Sequence, residues 1–196
     1  MSKETIAIVF GGRSSEHEIS CLSAGGVLSA IDCNKYDVVL IGITKDGNWV
    51  LVPETHQLSI KEGKLPEVPS SAPGVVADVA GFSVDGKPLK VDLIFPTLHG
   101  PYGEDGSIQG FFEIADLPYV GSGVLASAVA MDKSFAKPIF AAHGLKVAEC
   151  FTVTATQWSA DKSGLQKKAD LLGYPLFVKP ARGGSSRGTT KVKSAG

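Results

Sequence analysis

Cysteine is scarce in this 196-residue chain. Cys21, Cys33 and Cys150 are odd in number and widely spaced, which suits a reducing compartment and fits neither a disulfide framework nor a zinc site. An excess of charge of either sign is also lacking. Lys plus Arg number 19 against 20 Asp plus Glu, a formal net charge of −1, so no global field draws the chain to nucleic acid or to an acidic membrane. No apolar run approaches the roughly 20 residues that cross a bilayer. The first residues, Met1 to Thr5, run straight into a β-rich stretch rather than a signal peptide. There is no internal repeat and no long low-complexity segment. These absences predict a cytoplasmic protein with no nucleic-acid and no membrane partner. What remains is ordinary globular composition, 43% hydrophobic and 20% charged, with chain enough for one or two domains and a substantial core.

Apolar runs and glycine turns alternate along the first part. Thr5 to Phe10 reads as a strand buried on both faces. Gly11-Gly12-Arg13-Ser14-Ser15 follows, and a helix is expected from Ser15 to Ala30, capped by Ser14 or Ser15, with Glu16 and Glu18 in its first turn. The dinucleotide fingerprint Gly-x-Gly-x-x-Gly is missing, which argues against NAD. Tyr36 to Ile43 is a second buried strand, Lys45 to Asn48 a hairpin turn, and Trp49 to Val52 the return strand. Residues 53–77, rich in Pro, Ser and charge, read mostly as loop, and Ala80 to Leu89 as a hairpin around Asp85-Gly86. Val91 to Leu98 is a third buried strand. It runs into His99-Gly100-Pro101-Tyr102-Gly103-Glu104-Asp105-Gly106, a loop placed where parallel sheets bind ligands. Glu104 and Asp105 read as turn-capping carboxylates. Ser107 is expected to cap a helix whose apolar stripe is Ile108, Phe111, Phe112 and Ala115. Leu117 to Val120 reads as a short strand, followed by an alanine-rich helix to Met131 and a further helix from Ser134 to His143.

A domain boundary is expected within residues 121–133, dividing 1–128 from 129–196. Beyond it, Val147 to Val153 reads as a strand and Thr156 to Leu172 as one helix, ended by Gly173. The last stretch, Pro175 to Val192, reads as strand, small-residue loop, strand. Its loop, Gly183-Gly184-Ser185-Ser186-Arg187-Gly188, lets the backbone wrap closely around a ligand, with Lys179 and Arg182 at the entrance. The residues alone fit a polyphosphate cradle and a glycine-rich hairpin turn about equally. The Walker order Gly-x-x-x-x-Gly-Lys-Ser/Thr is absent.

Four segments in one order narrow the reading. They are Gly11-Gly12-Arg13-Ser14-Ser15-Glu16-His17-Glu18-Ile19-Ser20, His99-Gly100 with Gly103-Glu104-Asp105-Gly106, Met131-Asp132-Lys133, and Lys179-Pro180 with Gly184-Ser185-Ser186-Arg187-Gly188. Together they resemble the D-alanine–D-alanine ligase family, ATP-grasp enzymes of peptidoglycan precursor synthesis and cell-wall biogenesis. The resemblance implies an α/β fold class, with a Rossmann-like parallel-sheet domain over 1–128 that binds substrate. An incomplete α+β ATP-grasp domain would begin at 129–196. It implies ATP-dependent joining of two D-alanine molecules through an acyl phosphate. By motif position, Glu16 would pair with the first D-alanine's ammonium and His99 would line that pocket. Ser185 would organise the Glu16 side. Lys133, Lys179, Ser186 and Gly188 would hold ATP phosphates. Arg187 departs from the small aliphatic residue more usual in that motif. Mg²⁺ is implied as a cofactor, with its ligands expected beyond Gly196, so the chain by itself is expected to be inactive. A homodimer is implied by resemblance alone. Two alternatives stay open: a non-catalytic module binding D-alanine or phosphate, and a relative that uses D-lactate or D-serine as second substrate.

Overall fold

The computed structural model describes residues 3–195. Strand β1 (Glu4–Gly11) feeds two cores at once. Side chains alternate across a strand. Ala7 and Val9 therefore enter one buried cluster with Ile41, Ile94, Phe82 and Phe112, while Ile8 and Phe10 enter another with Cys21, Ala24, Leu40 and Val52. Burial on both faces accounts for the unbroken apolar run. Each fully buried large side chain, Phe10 and Phe112 among them, contributes about 1.5–3 kcal/mol.

The chain divides into two compact units, Met1–Ala128 and Val129–Gly196. In the first, β1 pairs in parallel with β2 (Tyr36–Ile43) from Glu4↔Tyr36 to Gly11↔Ile43. On its other side β1 pairs in parallel with β7 (Leu93–Pro96), from Ile6↔Leu93 to Val9↔Pro96. The edge strand β3 (Trp49–Val52) returns antiparallel to β2, giving the order β3-β2-β1-β7. Helix α1 (His17–Ala30) connects β1 to β2 and supplies Cys21 and Ala24 to one face. Helix α2 (Ser107–Ile114) supplies Ile108 and Phe112 to the other. A small antiparallel sheet, β4 (Val76–Asp78), β5 (Gly81–Val84) and β6 (Lys87–Leu89), contributes Phe82 to the α2 side.

Helix α3 (Val124–Met131) carries the division between the units. The second unit continues with α4 (Lys133–Ala142), α5 (Ala155–Ala160) and α6 (Lys162–Leu172). It ends in the antiparallel pair β8 (Leu176–Val178) and β9 (Thr190–Val192).

The parallel α/β class and the strands β2 and β3 agree with the sequence. Five local expectations do not. Ser14 and Ser15 do not cap α1. The N-cap is Glu16; Ser14 Oγ instead donates to the His99 carbonyl in the loop after β7 and accepts the Glu16 N–H. Ser107 does not cap α2 but is its first residue; Gly106, at φ 91°, is the N-cap and Asp105 accepts the Ser107 N–H at 3.0 Å. Leu117 to Val120 forms only a bridge at Tyr119 to Ile94. Val147 to Val153 makes no ladder, and the helix expected from Thr156 breaks into α5 and α6. The break has a cause. Thr154 and Gln157 form a capping box for α5, and Asp161 accepts the Gly164 N–H at 2.8 Å to start a second helix.

Candidate functional site

In the first unit the sheet order changes direction at β1. The chain goes from β1 to β2 on one side and returns to β7 on the other. Such a switch point opens a crevice beyond the carboxyl ends of the two central parallel strands. The turn after β1 and the loop after β7 both lie there. Gly11 and Gly12, at φ 88° and 93°, turn the chain out of β1. A Cβ on Gly11 would stand 2.4 Å from the Ile43 carbonyl oxygen, so neither the backbone angle nor the space admits a side chain.

Hydrogen bonds hold the two loops together. Ser14 Oγ donates to the His99 carbonyl at 2.7 Å and accepts the Glu16 N–H at 3.1 Å. Ser20 Oγ accepts the Gly11 N–H and donates to the Thr97 carbonyl, each at 2.8 Å. His17 is buried, at 1% exposure. Its Nε2 accepts the Val68 N–H at 3.1 Å, which leaves the proton on Nδ1 to donate to the Gly12 carbonyl at 2.8 Å. His17 is therefore a structural pin between the glycine turn and the long loop after β3.

Glu16 begins α1, where the helix dipole favours an anion. Its carboxylate lies close against Gly100: a Cβ there would sit 2.7 Å from Glu16 Oε2. His99 is half-buried. Its Nε2 is 2.8 Å from Ser23 Oγ, and its Nδ1 lies 3.9 Å from Glu104 Oε1. Glu16 and His99 thus share one crevice. Glu104 and Asp105 serve the loop itself. Glu104 accepts the Gly100 N–H at 2.7 Å, and Asp105 accepts those of Tyr102 and Ser107 at 2.9 and 3.0 Å. Burial raises the Asp105 carboxyl, but these bonds outweigh it and hold the group below its usual range. Beside them is a cavity of about 180 Å³, lined by Gly12, Arg13, Trp49, Leu98, His99 and Tyr102 among others. The Arg13 guanidinium sits 5.7 Å from the Tyr102 ring centre.

The second unit brings Lys133 to the glycine–serine loop. Lys133 Nζ donates to the Gly183 carbonyl at 2.6 Å, and its N–H donates to the Ala181 carbonyl at 3.0 Å. The loop tip is two overlapping turns. The first is closed by the Arg187 N–H to the Gly184 carbonyl at 3.1 Å, with Ser185 and Ser186 at φ 50° and 56°. Positive φ at both central residues is the type I′ signature of a tight hairpin. The second is closed by the Thr189 N–H to the Ser186 carbonyl at 3.1 Å, with Gly188 at φ 68°. Gly188 packs against Pro180, where a Cβ would meet ring carbon at 3.0 Å. Ser185, Ser186, Arg187 and Lys179 are exposed around this turn.

Three residues outside the sequence-predicted set adjoin it: Ser14 and Ser23 bond His99, and Asp132, next to Lys133, bonds Arg182. The signal for Ser14 and Asp132 lay inside the quoted motifs; for Ser23, on the second turn of α1, there was none. Among the described residues, no group of three or more His, Cys, Asp or Glu gathers as a metal site.

Comparisons with known proteins cover both units. The family model for the D-Ala D-Ala ligase N-terminus matches residues 5–122, and the model for the D-Ala D-Ala ligase C-terminus matches residues 139–196. The D-alanine–D-alanine ligase of Arthrobacter sp. (strain FB24) is 52% identical, over 98% of this chain and 53% of its own length. That of Streptomyces coelicolor is 48% identical, over 95% of this chain and 53% of its own length. Among solved structures, the D-alanine-D-alanine ligase of Coxiella burnetii superposes with a TM-score of 0.85 at 32% identity, over 98% of this chain and 57% of that one. The VanG D-Ala:D-Ser ligase of Enterococcus faecalis superposes with a TM-score of 0.82 at 37% identity, over 98% of this chain and 56% of that one. The chain spans about half the length of the curated relatives it matches.

Proposed function

This chain belongs to the D-Ala–D-Ala ligase family, and on that premise we propose that it supplies part of an ATP-dependent ligase joining two D-alanines for peptidoglycan precursor synthesis. The reaction runs in two steps. The carboxylate of one D-alanine takes the terminal phosphoryl group of ATP, giving an acyl phosphate and ADP. The amine of a second D-alanine then attacks the acyl carbon, and phosphate leaves. Most of the required catalysis is positioning and charge stabilisation.

The observation that carries the reading is the approach of the Glu16 carboxylate to the His99-Gly100 turn at the carboxyl ends of β1 and β7. There Glu16 would receive the ammonium of the first D-alanine as a charge-assisted pair, with His99 lining the pocket. We assign residues 1–128 to substrate binding and residues 129–196 to the start of the ATP-grasp domain. In the latter, Lys133, Lys179, Ser186 and the backbone at Gly188 would hold phosphate oxygens. Ser185 would organise the Glu16 side of the complete site.

The proposal extends to Mg²⁺ as the ion shielding the transferring phosphoryl group. The described residues do not fit such a site. It extends also to a homodimer and to a cytoplasmic location. The latter accords with three free cysteines among the described residues, and with the finding that none of their helices is long and apolar enough to cross a membrane. D-alanine is preferred to D-serine as second substrate because the curated relatives near 50% identity are named D-alanine–D-alanine ligases.

Glu16→Gln in a full-length enzyme carrying this sequence tests the pocket. Loss of the charge-assisted bond should weaken first-site D-alanine by about 1.5–3 kcal/mol, roughly ten- to a hundredfold in saturation. Unchanged D-alanine saturation would remove Glu16 from the site.

A further inference from the structure

We propose that Asp132 is a positioning residue for the glycine–serine loop: its carboxylate ties the loop's stem to the first turn of α4, and so sets where Lys133 and the loop backbone meet a polyphosphate. The inference rests on the nucleotide-binding reading of this unit.

Asp132 is buried at 7% exposure and caps α4. Its two oxygens are divided between two tasks. Oδ1 accepts the Ser134 N–H at 2.9 Å and the Ser134 hydroxyl, which starts the helix. Oδ2 accepts Arg182 Nε at 2.8 Å, which holds the loop's stem. The backbone follows the same path, since Asp132 and Arg182 form an antiparallel bridge. Lys133 completes the junction through its N–H to Ala181 at 3.0 Å and its ammonium to Gly183 at 2.6 Å. Residues 181–183 are therefore fixed to residues 132–133 through side chain and main chain together. Beyond this stem, the loop's own turns are closed by the Arg187 N–H to the Gly184 carbonyl and the Thr189 N–H to the Ser186 carbonyl. The Arg182 guanidinium beside Asp132 and the Ser134 bonds hold the Asp132 carboxyl down to about 2, so it stays an anion throughout the working pH range.

Asp132→Asn separates the two tasks. An asparagine oxygen can still accept from Ser134, but its amide would then face Arg182 Nε donor to donor. The measurement is amide exchange by NMR on the full-length protein without nucleotide, followed by ATP titration. The Arg182 side chain is 79% exposed, so the effect is that of a part-exposed pair. D132N is expected to speed exchange at Arg187 and Thr189 by roughly two- to fivefold and to weaken ATP by a similar factor, with the α4 amides unchanged. Ser134→Ala is expected to do the reverse, loosening the first turn of α4 and leaving the loop as it was. Unchanged exchange at Arg187 and Thr189 in D132N overturns the proposal. So does equal acceleration through α4, which would make Asp132 a cap and nothing more. If ATP binds D132N as tightly as the wild type, the positioning role is overturned even with a looser loop. If the wild type itself fails to bind ATP, the nucleotide-binding reading falls instead.

Discussion

Two neighbouring glycines in α1 face opposite environments. A Cβ on Gly25 would stand 2.3 Å from the Leu58 carbonyl oxygen, whereas one on Gly26 would meet nothing within 4 Å. Gly25 is kept by close approach of the long loop after β3, and Gly26 is only a flexible residue in a helix. Gly25→Ala should therefore destabilise by about 1–3 kcal/mol through overpacking. Gly26→Ala should stabilise by about 0.4–1 kcal/mol through the unfolded chain. Urea midpoints of the two variants check this, and equal shifts would contradict it. Nothing in the Ala-Gly-Gly-Val string distinguishes the two positions, because the difference is made by Leu58, far along the chain. The same holds for His17. Its motif drew attention to the segment, but its burial and fixed tautomer depend on Val68. Glu16 was legible as an N-terminal helix carboxylate. Its closeness to Gly100 was not, because that contact spans β1 to β7.

At the scale of elements, the long loop after β3 is pinned to α1 by charge as well as by packing. Lys45 bonds both Glu18 and Glu67, the latter at 2.8 Å. The hydrogen bond from Lys45 holds Glu18 below its ordinary value of 4.5, and the two carboxylates push Lys45 up to about 12. The signs follow. Glu18's depressed value gives stability that is present above about pH 4.5 and lost as pH falls below it. Lys45's raised value gives stability that is full below 10.5 and lost as pH rises through about 12. Lys45→Met should accordingly be destabilised at neutral pH, by no more than about 1 kcal/mol for groups this exposed. The gap from wild type should narrow below pH 4.5. A gap in urea midpoint that is constant from neutral pH to pH 3 would contradict the pairing. Elements bounded by strong local punctuation were legible. Tyr36–Ile43 and Trp49–Val52 match to the residue, because an apolar run meets the Lys45-Asp46-Gly47-Asn48 turn. Val147 to Val153 was misread because β-favouring residues make a strand only when a neighbour offers a ladder. The α5–α6 break interrupts the single helix expected over Thr156 to Leu172 because Asp161 acts as the N-cap of α6.

At the scale of the molecule, the two units carry different parts of the proposed chemistry. The first holds the carboxylate and histidine that would receive an amino acid; the second holds the lysines and the tight turn that would receive a phosphate chain. The parallel sheet was legible from three apolar runs buried on both faces. The loop residues were legible through motif order rather than through local pattern, since each motif alone fits a bland turn. The most direct test is phosphate release from ATP by a full-length enzyme carrying this sequence, with D-alanine and separately with L-alanine. The account predicts release with D-alanine and none above background with L-alanine. No release with either, or equal release with both, would contradict it.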